Sequence, residues 1–473
     1  MVKKFWISIV AIMLLFVTAC SGGGGDRSSA RESAEPEKTE LEELDGFDWK
    51  RFSGEELNVM LNQHPYAEAI VERLPQFEEL TGLKVNYSIT PEESYFDKLT
   101  TALNAENGNP DVFMTGSYQL WEYAPAGYIQ ELDSFIEDEN RTNPDYDVND
   151  FFEGVLNADR WDLVPGHEVG TGNLWAVPLA FELNLLHYNK RAFEENGIEA
   201  PPKTLDELIE VAEKLEGWNG EGSYGVGVRG TRSWATIHPG YMTSFSNHGA
   251  KDFVIEDGKL VSKLNSSESV EITEKFVELI KKGGPKDWSN YTWYQVSTDL
   301  AAGKSAMAYD ASNWSLFYNV EGSSEEAGNL AVTLPPTTVE GGEPGANMWV
   351  WSISMNSSSK KKDAAWLFMQ YFTGKEHMTW GAIEANVVDP VRQSVWDNED
   401  FKKRISLADG YEETFNQIIE NSTIKFTPQP EFFNVTTEWA AALQDIVNGA
   451  DAQERLDTLV DDINKRVERL RVE

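Results

Sequence analysis

Apolar and polar positions in this chain switch repeatedly between a period of two and a period near 3.6. Leu57-Asn58-Val59-Met60-Leu61 is a short, mostly apolar run that predicts a strand. From Ala67 to Leu80 the spacing of Ile70, Val71, Leu74 and Phe77 predicts a helix, which Thr81-Gly82 ends. Leu83 to Ile89 alternates again as a strand. A second helix is expected over Tyr95 to Ala105, with Phe96, Leu99 and Leu103 on one face, and Asn109-Pro110 breaks the chain before the strand Asp111-Val112-Phe113-Met114. Strands alternating with helices of this length imply an α/β fold with parallel strands and right-handed crossovers. Ligands of such sheets lie beyond the carboxyl ends of the strands, which directs attention to Asn62 to Tyr66 and Gly116 to Tyr118.

The pattern restarts at Leu174 to Pro178 and Leu183 to Asn189. Thr204-Leu205-Asp206-Glu207 reads as a capping box, in which the Thr204 hydroxyl and the Glu207 carboxylate satisfy amides at a helix start. Leu205, Leu208, Ile209, Ala212 and Leu215 form that helix's apolar stripe, and Gly217 closes it. Further strands are expected at Tyr224 to Arg229, Ser305 to Asp310, Leu330 to Leu334 and Met348 to Met355. From Lys362 the chain is mainly helical, and its last helix carries Leu456, Leu459, Val460, Ile463, Val467 and Leu470 as a docking stripe. The sequence shows no internal repeat.

The first residues follow a different rule. Lys3 and Lys4 precede an apolar run from Phe5 to Val17, which is short of the roughly 20 residues a spanning helix needs. Val17-Thr18-Ala19-Cys20 then places the chain's single cysteine after small residues, as a secretion signal (1–19) cleaved before a lipid-acylated Cys20 would. Four glycines follow Ser21, and the polar stretch to about Leu44 has almost nothing to bury, so 20–50 reads as a lipid-anchored flexible linker. The remainder, about 420 residues, is long for one core and suggests two lobes of about 200 residues. One cysteine excludes an intramolecular disulfide.

The formal charge is -39, from 40 basic and 79 acidic residues. Such a surface repels phosphate backbones and anionic lipid, which argues against nucleic acid as a partner and against electrostatic membrane docking.

Motif chemistry is sparse. Gly303-Lys304-Ser305 resembles the end of a phosphate loop, but Thr298 stands where its first glycine belongs. No nucleophile elbow and no His-Glu-x-x-His helix occurs. Asp145, Asp147 and Asn149 have the spacing of early calcium-loop ligands, yet Asp150 and Leu156 replace the required glycine and glutamate. Neither a metal nor a cofactor is expected. Aromatic residues are abundant, with 16 Trp and 16 Tyr, and several fall near strand ends: Tyr66, Tyr118, Trp121, Trp234, Trp293, Trp314 and Trp349. Sugar C–H faces stack on such rings while hydroxyls bond to Asp, Glu, Asn, Arg and Gln. Paired carboxylates for glycoside hydrolysis are available among so many acids, so a secreted glycan-degrading enzyme and a surface adhesin or sensor stand as alternatives to a binding protein.

An ordered series of segments resembles a known family, the family 1 extracellular solute-binding proteins of ABC importers. The series runs through Phe77-Glu78-Glu79-Leu80-Thr81-Gly82, Pro110-Asp111-Val112, Ala126-Gly127-Tyr128-Ile129, Gly172-Asn173-Leu174-Trp175-Ala176-Val177-Pro178, Tyr188-Asn189-Lys190, Leu300 to Met307, Asp363 to Phe368 and Asp389-Pro390-Val391-Arg392. Tyr224 to Gly230 followed by Trp234, and Asn347-Met348-Trp349-Val350-Trp351-Ser352, are similar to the sorbitol- and mannitol-binding branch.

The resemblance implies a two-lobed periplasmic-binding-protein-like α/β fold with solute in the cleft, 51–180 and 309–353 forming the first lobe and 181–308 and 354–473 the second. Hinge crossings are expected near Pro178 to Glu182, Ala308 to Asp310 and Ser352 to Asn356. It implies a monomer, held outside the cell membrane by its lipid, that binds a sugar, oligosaccharide or sugar alcohol and serves ABC permease subunits and their ATPase without chemistry of its own. The expected contacts are Glu182, Arg229 and Asp310 for hydroxyls, Trp234 and Trp349 for stacking, and Gln63, His64 and Tyr118 from the first lobe. For Arg229 a structural salt bridge is an equal alternative.

Overall fold

In the computed structural model, which describes residues 47–472, the apolar runs become the strands of one continuous sheet. The expected signal peptide, Cys20 and most of the linker lie outside the described residues. The last linker residues differ from expectation, since Trp49 packs edge-on against Tyr371 at 6.1 Å and the Arg51 guanidinium sits 4.2 Å from the centre of the Phe47 ring.

Eight strands form the sheet: β1 (Glu56–Asn62), β2 (Lys84–Thr90), β3 (Val112–Gly116), β4 (Val177–Asn189), β5 (Tyr224–Gly227), β6 (Ser305–Ala311), β7 (Leu330–Thr333) and β8 (Met348–Met355). Their order is β2-β1-β3-β8-β4-β6-β5, with β7 also on β4. The opening β-α-β units are parallel as expected, in the pairs β1 with β2 and β1 with β3. The whole sheet is mixed, because β8 returns antiparallel to both β3 and β4, and β6 and β7 run antiparallel to β4.

The 13-residue strand β4 organises the molecule. Its first part, Val177 to Leu183, pairs with β8, and its second part, from Asn184, pairs with β6 and β7. One strand therefore leaves one half-sheet and enters the other between Leu183 and Asn184. The handover is pinned from the side: the Leu183 amide donates to Ser312 Oγ at 3.2 Å, Ser312 Oγ donates to Asp389 Oδ2 at 2.9 Å, and the Phe181 amide donates to the Asp389 carbonyl at 3.4 Å. Tyr411 donates to the other Asp389 oxygen, and burial pushes this carboxyl up to about 7.

Strand pairing and packing also show where segments of the expected lobes sit. Tyr309 to Ala311 and β7 belong with the second half-sheet, whereas the helix Lys362–Phe372 packs on β8 and on the helix Pro65–Thr81, beside the first. The ranges 309–353 and 354–473 are thus each divided between the half-sheets.

Helices cover both faces by burying the stripes their spacing predicts. Pro65–Thr81 buries Ile70, Leu74 and Phe77 and ends on Gly82, whose φ of 69° suits a residue without Cβ. Leu205–Lys214 starts with the Thr204 and Glu207 capping box and buries Leu205, Leu208 and Ile209, each worth about 1.5–3 kcal/mol. Near the carboxyl end, Phe432–Val447 packs against Ala452–Val467 and the short helix Trp234–Ile237. That contact holds Trp234 at the edge of a cavity.

Candidate ligand-binding site

The cavity, of about 340 Å³, opens where the two half-sheets meet. His64, two residues after β1, and Glu182, the last residue but one before the β4 handover, line it on one side. Arg229 follows β5 and Asn313 follows β6, so strand carboxyl ends deliver polar groups to the space, as in other open α/β sheets.

Aromatic rings make most of the remaining wall. Trp349 and Trp351 stand two residues apart on β8 and so share a face. Their rings meet edge to face at 5.1 Å, and Trp349 lies 5.2 Å from Trp234 at an interplanar angle of 32°. His238, one helical turn beyond Trp234, stacks on it at 5.6 Å and 27°. Trp293 and Trp314 complete the wall on the β6 side.

Arg229 is held from several directions. Its Nε donates to Asp310 Oδ2 at 2.8 Å and its Nη2 to Asp310 Oδ1 at 2.5 Å, a bidentate pair in which Asp310 is completely buried. Nη1 donates to the Ala235 carbonyl at 3.3 Å and to His238 Nε2 at 2.9 Å. Burial opposes the guanidinium charge, but Asp310, with smaller help from Glu182 and Glu92, more than offsets it and the pKa is raised. Since the guanidinium can only donate, His238 Nε2 accepts and the ring is neutral. Burial, reinforced by Arg229, holds the His238 pKa well below its ordinary value.

Glu182 has no such cation. Its Oε1 accepts from Trp351 Nε1 at 3.3 Å and from Asn313 Nδ2 at 3.4 Å, and His64 Nε2 lies 3.9 Å away. His64 caps the helix Pro65–Thr81 by accepting the Tyr66 amide on Nδ1, which leaves the proton on Nε2, facing Glu182. Burial lowers the His64 pKa to about 3, so it is neutral as well. Burial also pushes the Glu182 carboxyl up to about 8, with Asp389 and Asp310 adding to the rise and Arg229 opposing it.

Of the residues expected from sequence, the structure brings His64, Glu182, Arg229, Trp234 and Trp349 together around the cavity. Asp310 lies behind the wall as the partner of Arg229, so the salt bridge weighed for Arg229 is present and fixes a group that also faces the cavity. Tyr118 is fully buried behind Trp349, 4.9 Å from it, with its hydroxyl donating to the Met348 carbonyl at 2.8 Å. Gln63 is exposed and does not line the cavity. Trp351, His238 and Asn313 line it without having been singled out. Period two from Trp349 and the one-turn step from Trp234 were signals for the first two; Asn313 carries none.

Residues 62–379 match the family described as bacterial extracellular solute-binding protein. The erythritol/L-threitol-binding protein of Mycolicibacterium smegmatis is 41% identical over 450 residues, covering 95% of this chain and 92% of that protein. The mannitol-binding protein of Pseudomonas aeruginosa is 24% identical, covering 64% of this chain and 65% of its own. Among solved structures, a solute-binding protein of Agrobacterium radiobacter K84 in complex with ribitol superposes with a TM-score of 0.74 at 21% identity, covering 88% of this chain and 99% of that one. Sequence and fold agree, and the chain belongs to the bacterial extracellular solute-binding proteins, two-lobed binding proteins that are not enzymes.

Proposed function

We propose that this protein captures a short sugar alcohol or small sugar in the cavity at the β4 handover and delivers it to an ABC permease. The observation that carries the reading is the pairing of a neutral polar end, Glu182 with His64 and Asn313, with walls of tryptophan and one locked guanidinium, Arg229. Such a set offers hydrogen bonds to hydroxyls and flat faces to C–H groups, with no unpaired charge to demand a charged ligand. A volume of about 340 Å³ lies at the low end of ligand sites, which favours one small solute over a chain of rings. The names of the relatives, binders of erythritol, L-threitol and mannitol, support the same class.

In this reading His64, Glu182, Arg229, Trp234 and Trp349 contact the solute, and Asp310 and Tyr118 position those that do. Gln63, on the exposed side, stands as a rim contact at most. The protein works as a monomer tethered through an acylated Cys20, with permease subunits and ATPase as partners. Calorimetric titration with tetritols, pentitols, hexitols and the matching aldoses tests the ligand class, and absence of binding to all of them refutes it. Cys20→Ser tests the tether: the variant is expected in the medium or unprocessed, and a processed variant that still sediments with membranes removes the lipid.

A further inference from the structure

Resting on the binding reading above, we propose that Glu182 acts as an uncharged hydrogen-bond donor to a ligand hydroxyl, and that this single proton makes the site selective for neutral solutes over the corresponding acids. The geometry carries the assignment. Three protein donors converge on one oxygen of the carboxyl: Trp351 Nε1 at 3.3 Å, Asn313 Nδ2 at 3.4 Å and His64 Nε2 at 3.9 Å all face Oε1. Oε2 receives none of the three, so it is the oxygen placed to carry a proton and meet a ligand.

The balance of charge points the same way. Among the described residues Arg229 is the one cation that acts on Glu182, and its charge is matched by the bidentate Asp310. His64, on the β1 side, is neutral. The acids Asp389, from the handover cluster, Asp310, on β6, and Glu92, which also lines the cavity, act on Glu182 as well, and the buried hydroxyls of Tyr66 and Tyr118 are coupled to it. An ionised Glu182 would be a buried anion without a counter-charge and with acids around it, a costly arrangement that taking up one proton removes. Its carboxyl is accordingly raised to about 8.

The consequence is a ligand rule. A hydroxyl accepts from Oε2–H and can pass its own proton onward, whereas the carboxylate of an aldonic or uronic acid would set a second negative charge beside Asp310 and Asp389. Sugar acids are therefore excluded although Arg229 lines the same cavity.

The test uses the full chain and whichever polyol or sugar binds most tightly. Glu182→Gln keeps a donor and an acceptor but cannot ionise, so whatever affinity it shows at neutral pH is expected to stay level into the alkaline range. Wild-type affinity should fall about tenfold per pH unit above the Glu182 pKa, with uptake of about one proton on binding, seen by calorimetry in buffers of different ionisation enthalpy. Wild-type affinity flat between about pH 6 and 9.5, or a Glu182→Gln affinity that falls with pH as the wild type's does, overturns the proposal. A readout without ligand is the infrared C=O stretch of a protonated carboxyl in the wild-type minus Glu182→Gln difference at pH 7, whose absence also overturns it. If no small solute binds wild type but that band is present, the ligand class is wrong and the protonated Glu182 stands.

Discussion

Asp310→Asn isolates what the bidentate ion pair behind the cavity wall contributes. Arg229 is 7% exposed and Asp310 0%, so neither partner can recover its hydration when the other is lost. The substitution keeps the size of the side chain and one acceptor oxygen, but it removes the negative charge and turns an amide N–H₂ toward a guanidinium nitrogen that also donates. Two charge-assisted hydrogen bonds of 2.8 and 2.5 Å are at stake, each worth about 1.5–3 kcal/mol. Breaking one side of a buried pair in this way costs about 3–5 kcal/mol, because the remaining charge stays buried. Arg229→Met removes that charge, so the double variant should be more stable than Asp310→Asn alone. The assay is a double-mutant cycle from guanidinium denaturation, with calorimetric ligand titration on each variant; both variants lacking Arg229 should bind weakly whatever their stability. A cost below about 1 kcal/mol for Asp310→Asn, or a double variant whose loss equals the sum of the singles, refutes the argument that Asp310 exists to hold the Arg229 charge.

Trp349→Ala is expected to lower ligand affinity by about 1–3 kcal/mol, the scale for stacking on an aromatic face. It should also cost about 3–5 kcal/mol of stability, because Trp349 is only 2% exposed; calorimetry and denaturation read the two losses separately, and an unchanged affinity removes Trp349 from the site. Gly116→Ala would put a methyl 2.2 Å from Trp349 Cη2, so the ring must shift, and a change in tryptophan emission together with weaker binding is the expected result. For stability against pH, the Glu182 pKa rises from its ordinary 4.5 to about 8 on folding, so its favourable contribution is full below 4.5 and is lost as pH rises through 8. Glu182→Gln should therefore flatten the fall in melting temperature across that window, and an unaltered slope refutes the assignment. Asp159 and Asp389, both raised to about 7 by burial, contribute to the slope that remains.

Local patterning made the strands and their helices legible because each element buries its own stripe. The capping box at Thr204 and Glu207 appears where the sequence puts it, since it depends on residues three apart. Pairing direction was less legible: nothing local in Met348 to Met355 says that this strand returns antiparallel between β3 and β4, since both its neighbours come from earlier in the chain. The same limit governs the site. Glu182, Arg229 and Trp349 stand at strand ends or on a recognisable segment, whereas the ties from Asp389 to β4 and from His238 to Arg229 depend on tertiary approach. Gln63 shows the opposite error, for it sits one residue beyond a strand end yet turns outward, its amide donating to the Thr90 carbonyl, while His64 faces the cavity.

The placement of these groups ties recognition to the relation between the half-sheets. Glu182 and Trp349 are direct partners in the β4 and β8 register of the first half-sheet, whereas Arg229 lies just past β5 and Asp310 on β6 of the second. A solute that touches only one set gains nothing from bringing the halves together, since a ligand shifts an equilibrium only by its differential affinity. Taking the population of a two-state molecule from 1:99 to 99:1 requires about 5.5 kcal/mol of such preference. A neutral hydrogen bond supplies about 1 kcal/mol and a stacked aromatic face about 1–3, so neither the Glu182 end nor one tryptophan suffices alone. On the proposed reading, only a molecule that spans from the Glu182 carboxyl to Arg229 while lying on the tryptophan faces collects enough. Length and hydroxyl placement of the solute would then be read as the free energy of closure, with the β4 handover, which Ser312 and Asp389 pin, as the proposed pivot.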